Sequence, residues 1–268
     1  MAPERGVSES ANAVHRLACL ELQGGNQASV YRAELRGLSA WVSCRPLYPA
    51  ASGGDLYYLS VCSQGSISRV TVADVAGHGE GVSTAAERLR DALREHSDDW
   101  DQSALIRRLN NSFLEDSADG TFATAILLSH YADTGELLFT NAGHPPPLWY
   151  RAALQEWSFL VDVTPYSKEI ADLPLGVIAG TAYTQTAVQL EPDDLLLVYT
   201  DGVSEAHDIR GEMLGLDRLQ EIAGGLPTGS ASAAGEAFLG ALADFRGSEP
   251  AADDETVVTL HRRPTRHA

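Results

Sequence analysis

Two pairs of apolar runs, each joined by only a few residues, restrict the fold of this chain more than any other feature. Asp55 to Cys62 (DLYYLSVC) and Ser66 to Asp74 (SISRVTVAD) flank Gln64-Gly65 and read as a β-hairpin. Phe122 to Tyr131 (FATAILLSHY) and Glu136 to Asn141 (ELLFTN) flank Asp133-Thr134-Gly135 and read as a second. Antiparallel strands can be joined this tightly, whereas parallel strands need a long crossover, so the sheets should be antiparallel. The first hairpin also brings Asp55 near Asp74, because both stand at its open end.

Between the hairpins the period changes. Val82, Ala85, Ala86, Leu89 and Leu93 recur at helical spacing, and a second helix, capped by Asp101 or Ser103, carries Leu105, Ile106, Leu109, Phe113 and Leu114 on its apolar side. Short apolar runs from Ala28 to Cys44 predict strands. Further strands are expected around Ala182 to Leu190, Asp194 to Thr200 and Thr256 to Leu260, with helices near Leu216 to Ile222 and Ser232 to Phe245. This order predicts an α+β layered sandwich. Residues 1–15 are polar and weakly patterned, and are expected as a loose segment ahead of one domain over 16–268.

With 44% hydrophobic and 21% charged residues, the 268-residue chain has the composition of a soluble globular protein. Its 37 acidic and 19 basic residues give a formal charge of -18, which repels nucleic-acid phosphate and anionic lipid. Neither nucleic acid nor membrane is an expected partner. Cys19, Cys44 and Cys62 form no CxxC pair, which predicts neither a disulfide framework nor a zinc site. The opening MAPERGVSES has no apolar signal core, and no stretch reaches the ~18 apolar residues of a membrane span, so a cytoplasmic location is expected. The acidic surplus reads either as a solubilising surface or as carboxylates crowding around cations.

Position separates those readings. Four aspartates share one setting, the end of an apolar strand with small residues alongside: Ser52-Gly53-Gly54-Asp55, Val72-Ala73-Asp74, Val198-Tyr199-Thr200-Asp201-Gly202 and Ala251-Ala252-Asp253-Asp254. Such a carboxylate is held rigidly, and the glycines leave room for a ligand against the backbone. One alone is more often a turn former or a helix cap. Four together match what Mg²⁺ and Mn²⁺ prefer, and point to a two-metal carboxylate site with a water activated between the ions.

Asp74-Val75-Ala76-Gly77-His78-Gly79, Asn141-Ala142-Gly143-His144-Pro145-Pro146, Pro174-Leu175-Gly176, Tyr199-Thr200-Asp201-Gly202-Val203 and Asp253-Asp254-Glu255-Thr256 follow one another in that order, after Gly53-Gly54-Asp55. In this the chain, from about Cys44 to Leu260, resembles the stage II sporulation protein E type branch of the metal-dependent type 2C protein serine/threonine phosphatases. The resemblance implies an α-β-β-α sandwich with the metal site at one end between the sheets. It implies that Asp74 bridges two Mn²⁺ or Mg²⁺ ions, that the Val75 carbonyl helps hold the second, that Asp201 and Asp253 complete the first, and that Asp55 acts on the second directly or through water. The activated water would attack the phosphate in line, with no phosphoenzyme. Bacterial signalling is implied as the setting, with a phosphorylated anti-sigma factor antagonist as the type of substrate.

The family usually has a second aspartate where this chain has Tyr58. His78, between glycines, reads either as a proton donor to the leaving oxygen or as a turn histidine bonded to backbone. His144, ahead of three prolines, reads as structural. Arg45 and Arg69 are candidates for phosphate contact, because a guanidinium pairs bidentately with phosphate. Two rivals remain: a scaffold of the same fold with a weakened metal site, and another two-metal phosphoesterase.

Overall fold

The computed structural model describes residues 14–17, 22–62, 66–77, 80–96, 101–116, 120–162 and 172–263. Two antiparallel sheets lie face to face. The first has the order β1-β3-β4-β13-β12-β9-β10, built from Val14–Arg16 (β1), Ser29–Leu35 (β3), Leu38–Arg45 (β4), Leu148–Arg151 (β9), Glu156–Phe159 (β10), Leu195–Tyr199 (β12) and Glu255–Arg262 (β13). The second runs β11-β8-β7-β6-β5-β2, from Leu22–Gln27 (β2), Ser52–Cys62 (β5), Ile67–Val75 (β6), Ala123–Tyr131 (β7), Glu136–Ala142 (β8) and Thr186–Gln189 (β11). The β1–β3 pair alone among these is parallel. β1 also takes in Val14 and His15, inside the stretch expected to be loose, although its residues are exposed.

Both expected hairpins form, as β5–β6 and β7–β8, while the Gln64-Gly65 turn lies outside the described residues. The β9–β10 hairpin was not foreseen, because strands of four residues are too short to display a period.

Helices α1 (Glu80–Glu95) and α2 (Gln102–Asp116) cover the second sheet, and α4 (Gly215–Gly224) and α5 (Ala231–Arg246) cover the first. Asp101 caps α2, its Oδ1 accepting from the Ser103 and Ala104 N–H groups at 2.9 and 3.1 Å. The result is the α-β-β-α sandwich.

Side-chain alternation sorts each strand into two layers. On β5, Tyr57, Leu59 and Val61 face the other sheet, whereas Leu56 and Tyr58 face α1 and α2. Val70 and Val72 of β6, Leu196 and Val198 of β12, and Val258 and Leu260 of β13 meet the first group between the sheets. Each such side chain contributes about 1.5–3 kcal/mol by leaving water. The same parity carries Asp55, Asp74, Thr200 and Thr256 to one end of that inter-sheet layer.

Gly235 sets the approach of α5 to the first sheet. A Cβ there would stand 2.2 and 2.5 Å from Cε3 and Cζ3 of Trp41, which is fully buried. Overpacking costs about 1–3 kcal/mol, more than the ~1 kcal/mol that alanine gains over glycine in a helix. Gly235→Ala should therefore lower stability by about 1 kcal/mol in urea titration; a gain would mean that α5 shifts freely.

Candidate metal centre

Asp55 and Asp74 are direct cross-strand partners, the last pair of the β5–β6 ladder. Asp201 opens the short helix α3 (Asp201–Ser204), directly after β12, and Asp253 lies in the turn before β13. Because β12 and β13 pair with Tyr199 opposite Val257, those two aspartates leave the first sheet at the same end.

Thr200 ties the sheets together at this point. Its hydroxyl donates to Asp55 Oδ2 at 2.7 Å and accepts from the Thr256 N–H at 3.0 Å. As the N-cap of α3, threonine usually turns its oxygen to the helix; here it makes no cap bond and is committed to Asp55. Asp55 is 1% exposed. Burial, and then the neighbouring Asp74 charge, push its carboxyl well above the usual carboxylate range, with the Thr200 bond working against them.

Burial also pushes Asp74 up, to about 7, and the carboxylates of Asp201, Asp253 and Asp254 add to the shift. Asp201 is raised by burial and then by Asp253. Mutually repelling carboxylates in a partly dry site are what a bound divalent cation would neutralise, and all-oxygen donors suit Mg²⁺ or Mn²⁺. Among the described residues, no three acidic, histidine or cysteine side chains yet surround one point closely enough to hold an ion as they stand. The donors thus fit a hard cation in chemistry and in their gathering at one end, and side-chain rotation would have to close them on it.

A close backbone approach and a cavity adjoin the centre. A Cβ on Gly54 would lie 2.7 Å from the Val75 carbonyl oxygen and 2.7 Å from Val82 Cγ1, so only glycine lets β5 pass this close. Beside the aspartates opens a cavity of about 220 Å³, lined among others by Tyr48, Gly53, Gly54, Gly77, Asp253 and Asp254. A second cavity of the same volume, lined by Phe139, Asn141, Asp172 and others, touches none of the four aspartates.

His144 is buried below the centre, its Nδ1 2.9 Å from the Thr124 hydroxyl, and Thr124 is the β7 partner of Asp74. Asn141 closes the loop from both sides, accepting from the His144 N–H at 2.7 Å and donating to its carbonyl at 2.8 Å. These bonds agree with the structural reading of His144, while the sequence alone assigns Asn141 no role.

Other expectations fare differently. Arg69 cannot meet a phosphate at this centre: it is buried on β6 opposite Ser60, five residues from Asp74, and bonds to Ser129. Arg45 is exposed at the site end of β4, opposite Glu255. Tyr58 stands in the layer facing α1 and α2, the opposite side of β5 from Asp55, so the missing second aspartate does not face the inter-sheet carboxylates. His78 lies outside the described residues. Sequence reasoning gave no role to Thr200 or Asp254, although both sit inside quoted motifs; their value lies in bonds to partners 145 and 200 positions away.

The fold is a type 2C phosphatase architecture. The chain shares it with the SiaA-PP2C domain of Pseudomonas aeruginosa, at TM-score 0.69 and 21% identity over 83% of this chain and 85% of that one. RsbX, solved in complex with magnesium, superposes at TM-score 0.64 with 14% identity, covering 87% of this chain and 99% of the other. The family model for stage II sporulation protein E (SpoIIE) matches residues 65–263, and the chain belongs to that family. Phosphoserine phosphatase RsbU of Bacillus subtilis (strain 168) is 25% identical over 164 residues, 61% of this chain and 46% of RsbU. The chain thus spans about half the length of that relative. No helix among the described residues is long and apolar enough to cross a membrane.

Proposed function

We propose that this chain is a divalent-cation-dependent protein phosphatase that hydrolyses phosphoserine or phosphothreonine. The observation that carries the reading is the gathering of Asp55, Asp74, Asp201 and Asp253 at one open end of the inter-sheet layer, beside a cavity. Asp74, the Val75 carbonyl, Asp201 and Asp253 would hold two Mn²⁺ or Mg²⁺ ions. Bound there, the cations neutralise the phosphate dianion and lower the pKa of a water toward ~7. Asp55, held by the Thr200 hydroxyl, would act on the second ion directly or through water. Arg45, exposed at the same end, is the arginine proposed to contact phosphate.

The SpoIIE family and the RsbU likeness favour a small phosphorylated regulator, of the anti-sigma factor antagonist type, as substrate. Residues 16–268 act as one catalytic unit in this reading.

Hydrolysis of a phosphoserine peptide should require added Mn²⁺ or Mg²⁺ and vanish with excess chelator; full activity in chelator would sink the proposal. Absence of turnover with every phosphate ester would favour the scaffold reading. Preference for nucleotides over phosphopeptides would favour another phosphoesterase. His78 is proposed as proton donor to the leaving oxygen. His78→Ala should then slow the peptide ester at least about tenfold more than an aryl phosphate, whose leaving group needs little protonation. Equal slowing would make His78 structural.

A further inference from the structure

Asp254 belongs to none of the roles above, yet its carboxylate is held by two backbone N–H groups beside the centre. Its Oδ2 accepts from the Gly54 N–H and its Oδ1 from the Leu47 N–H, both at 2.6 Å. Its surroundings leave no slack. A Cβ on Gly53 would stand 2.2 Å from Oδ2, and one on Gly202 would stand 2.0 Å from the Asp254 carbonyl oxygen. The residue therefore joins the β4–β5 connection, the start of β5, the start of α3 and the entry to β13.

The bond to Gly54 matters for the backbone. The β5–β6 ladder stops at Asp55–Asp74, and in that register Gly54 would be next, opposite Val75. The Ala76 N–H points away, to the carbonyl of Phe122 just ahead of β7. Antiparallel alternation therefore turns the Val75 N–H and carbonyl toward β5 and Gly54. Asp254 draws off the Gly54 N–H that would otherwise cap the Val75 carbonyl.

We infer that Asp254 is a positioning residue of the metal centre: by capturing the Gly54 N–H it ends the β5–β6 ladder, leaves the Val75 carbonyl open to a cation, and fixes the neighbouring Asp253. This rests on the metal-dependent reading above. An uncharged side chain cannot do the same. An amide accepts one N–H but turns its own NH₂ toward the other, and alanine accepts neither.

The test is Mn²⁺ binding by titration calorimetry, with the metal-free melting temperature, on wild type, Asp254→Asn and Asp254→Ala. Loss of a residue that orients metal ligands costs about 10–100-fold in affinity. Asp254→Asn should sit near the low end and Asp254→Ala near the high end. The Mn²⁺ concentration for half-maximal turnover should rise in parallel, by more than the fall in kcat at saturating metal. Hydrogen exchange at the Leu47 amide should quicken in Asp254→Ala, while the Gly54 amide, released to pair with the Val75 carbonyl, should stay protected. Unchanged Mn²⁺ affinity in folded variants, with only a lower melting temperature, would overturn the inference and leave Asp254 a plain structural clamp. Wild type that binds no Mn²⁺ would instead overturn the metal-dependent reading itself.

Discussion

Asp74→Asn should cut turnover of a phosphoserine peptide by about a thousandfold, without recovery at high Mn²⁺, and should raise the melting temperature of the metal-free protein. Asp74 sits at the end of β6, opposite Asp55 on one side and Thr124 on the other, with Asp201, Asp253 and Asp254 all raising its pKa. As the proposed bridge it serves both ions. Cation stabilisation of the transition state is worth several kcal/mol; losing about 4 kcal/mol corresponds to that thousandfold. The amide keeps the shape of the side chain but removes a charge that the other carboxylates repel, which favours the folded state when no cation is present. Steady-state kinetics and thermal melting in chelator check the two halves. Turnover within tenfold of wild type would remove Asp74 from the centre, and a lower metal-free melting temperature would mean that its carboxylate serves chiefly to hold the fold.

For Asp201→Asn the expected loss is about a hundredfold, with part of it restored by raising Mn²⁺. The proposed role is on one ion only, so a weakened hard-cation ligand can be offset by mass action. Asp201 is presented rigidly, because β12 enters it through five buried residues, Leu195 to Tyr199, and Thr200 anchors the next position to Asp55. If the side chain only formed a turn, asparagine would serve equally well there. A Mn²⁺ titration of kcat for the variant separates the cases: near-wild-type turnover at every concentration would refute the ligand role.

Much of the architecture could be read before the structure. The two hairpins, α1, α2, α4, α5 and the central strands β12 and β13 each carry a period or a turn long enough to recognise, since local sequence encodes local geometry. Short β9 and β10 carry little such signal and form because neighbouring strands supply their hydrogen bonds, whereas β11 falls within the strand expected around Ala182 to Leu190. The sequence also implied where chemistry gathers, since Asp55 and Asp74 face one another through nothing more than hairpin register.

By itself, then, the sequence determined the hairpins, the antiparallel pairing and the clustered aspartates through periodicity and turns, and implied the layer order and the ligand set through the resemblance its motifs carry. Only the tertiary structure decided which side each side chain faces and what holds it there. Arg69 is carried away from the centre and Tyr58 onto the helix-facing layer, while Thr200 and Asp254 become the ties between distant strands. The physical reason is that a hydrogen bond between residues 145 or 200 positions apart leaves no trace in local spacing; it exists only once two sheets, each folded by its own pattern, pack face to face and bring their strand ends into register.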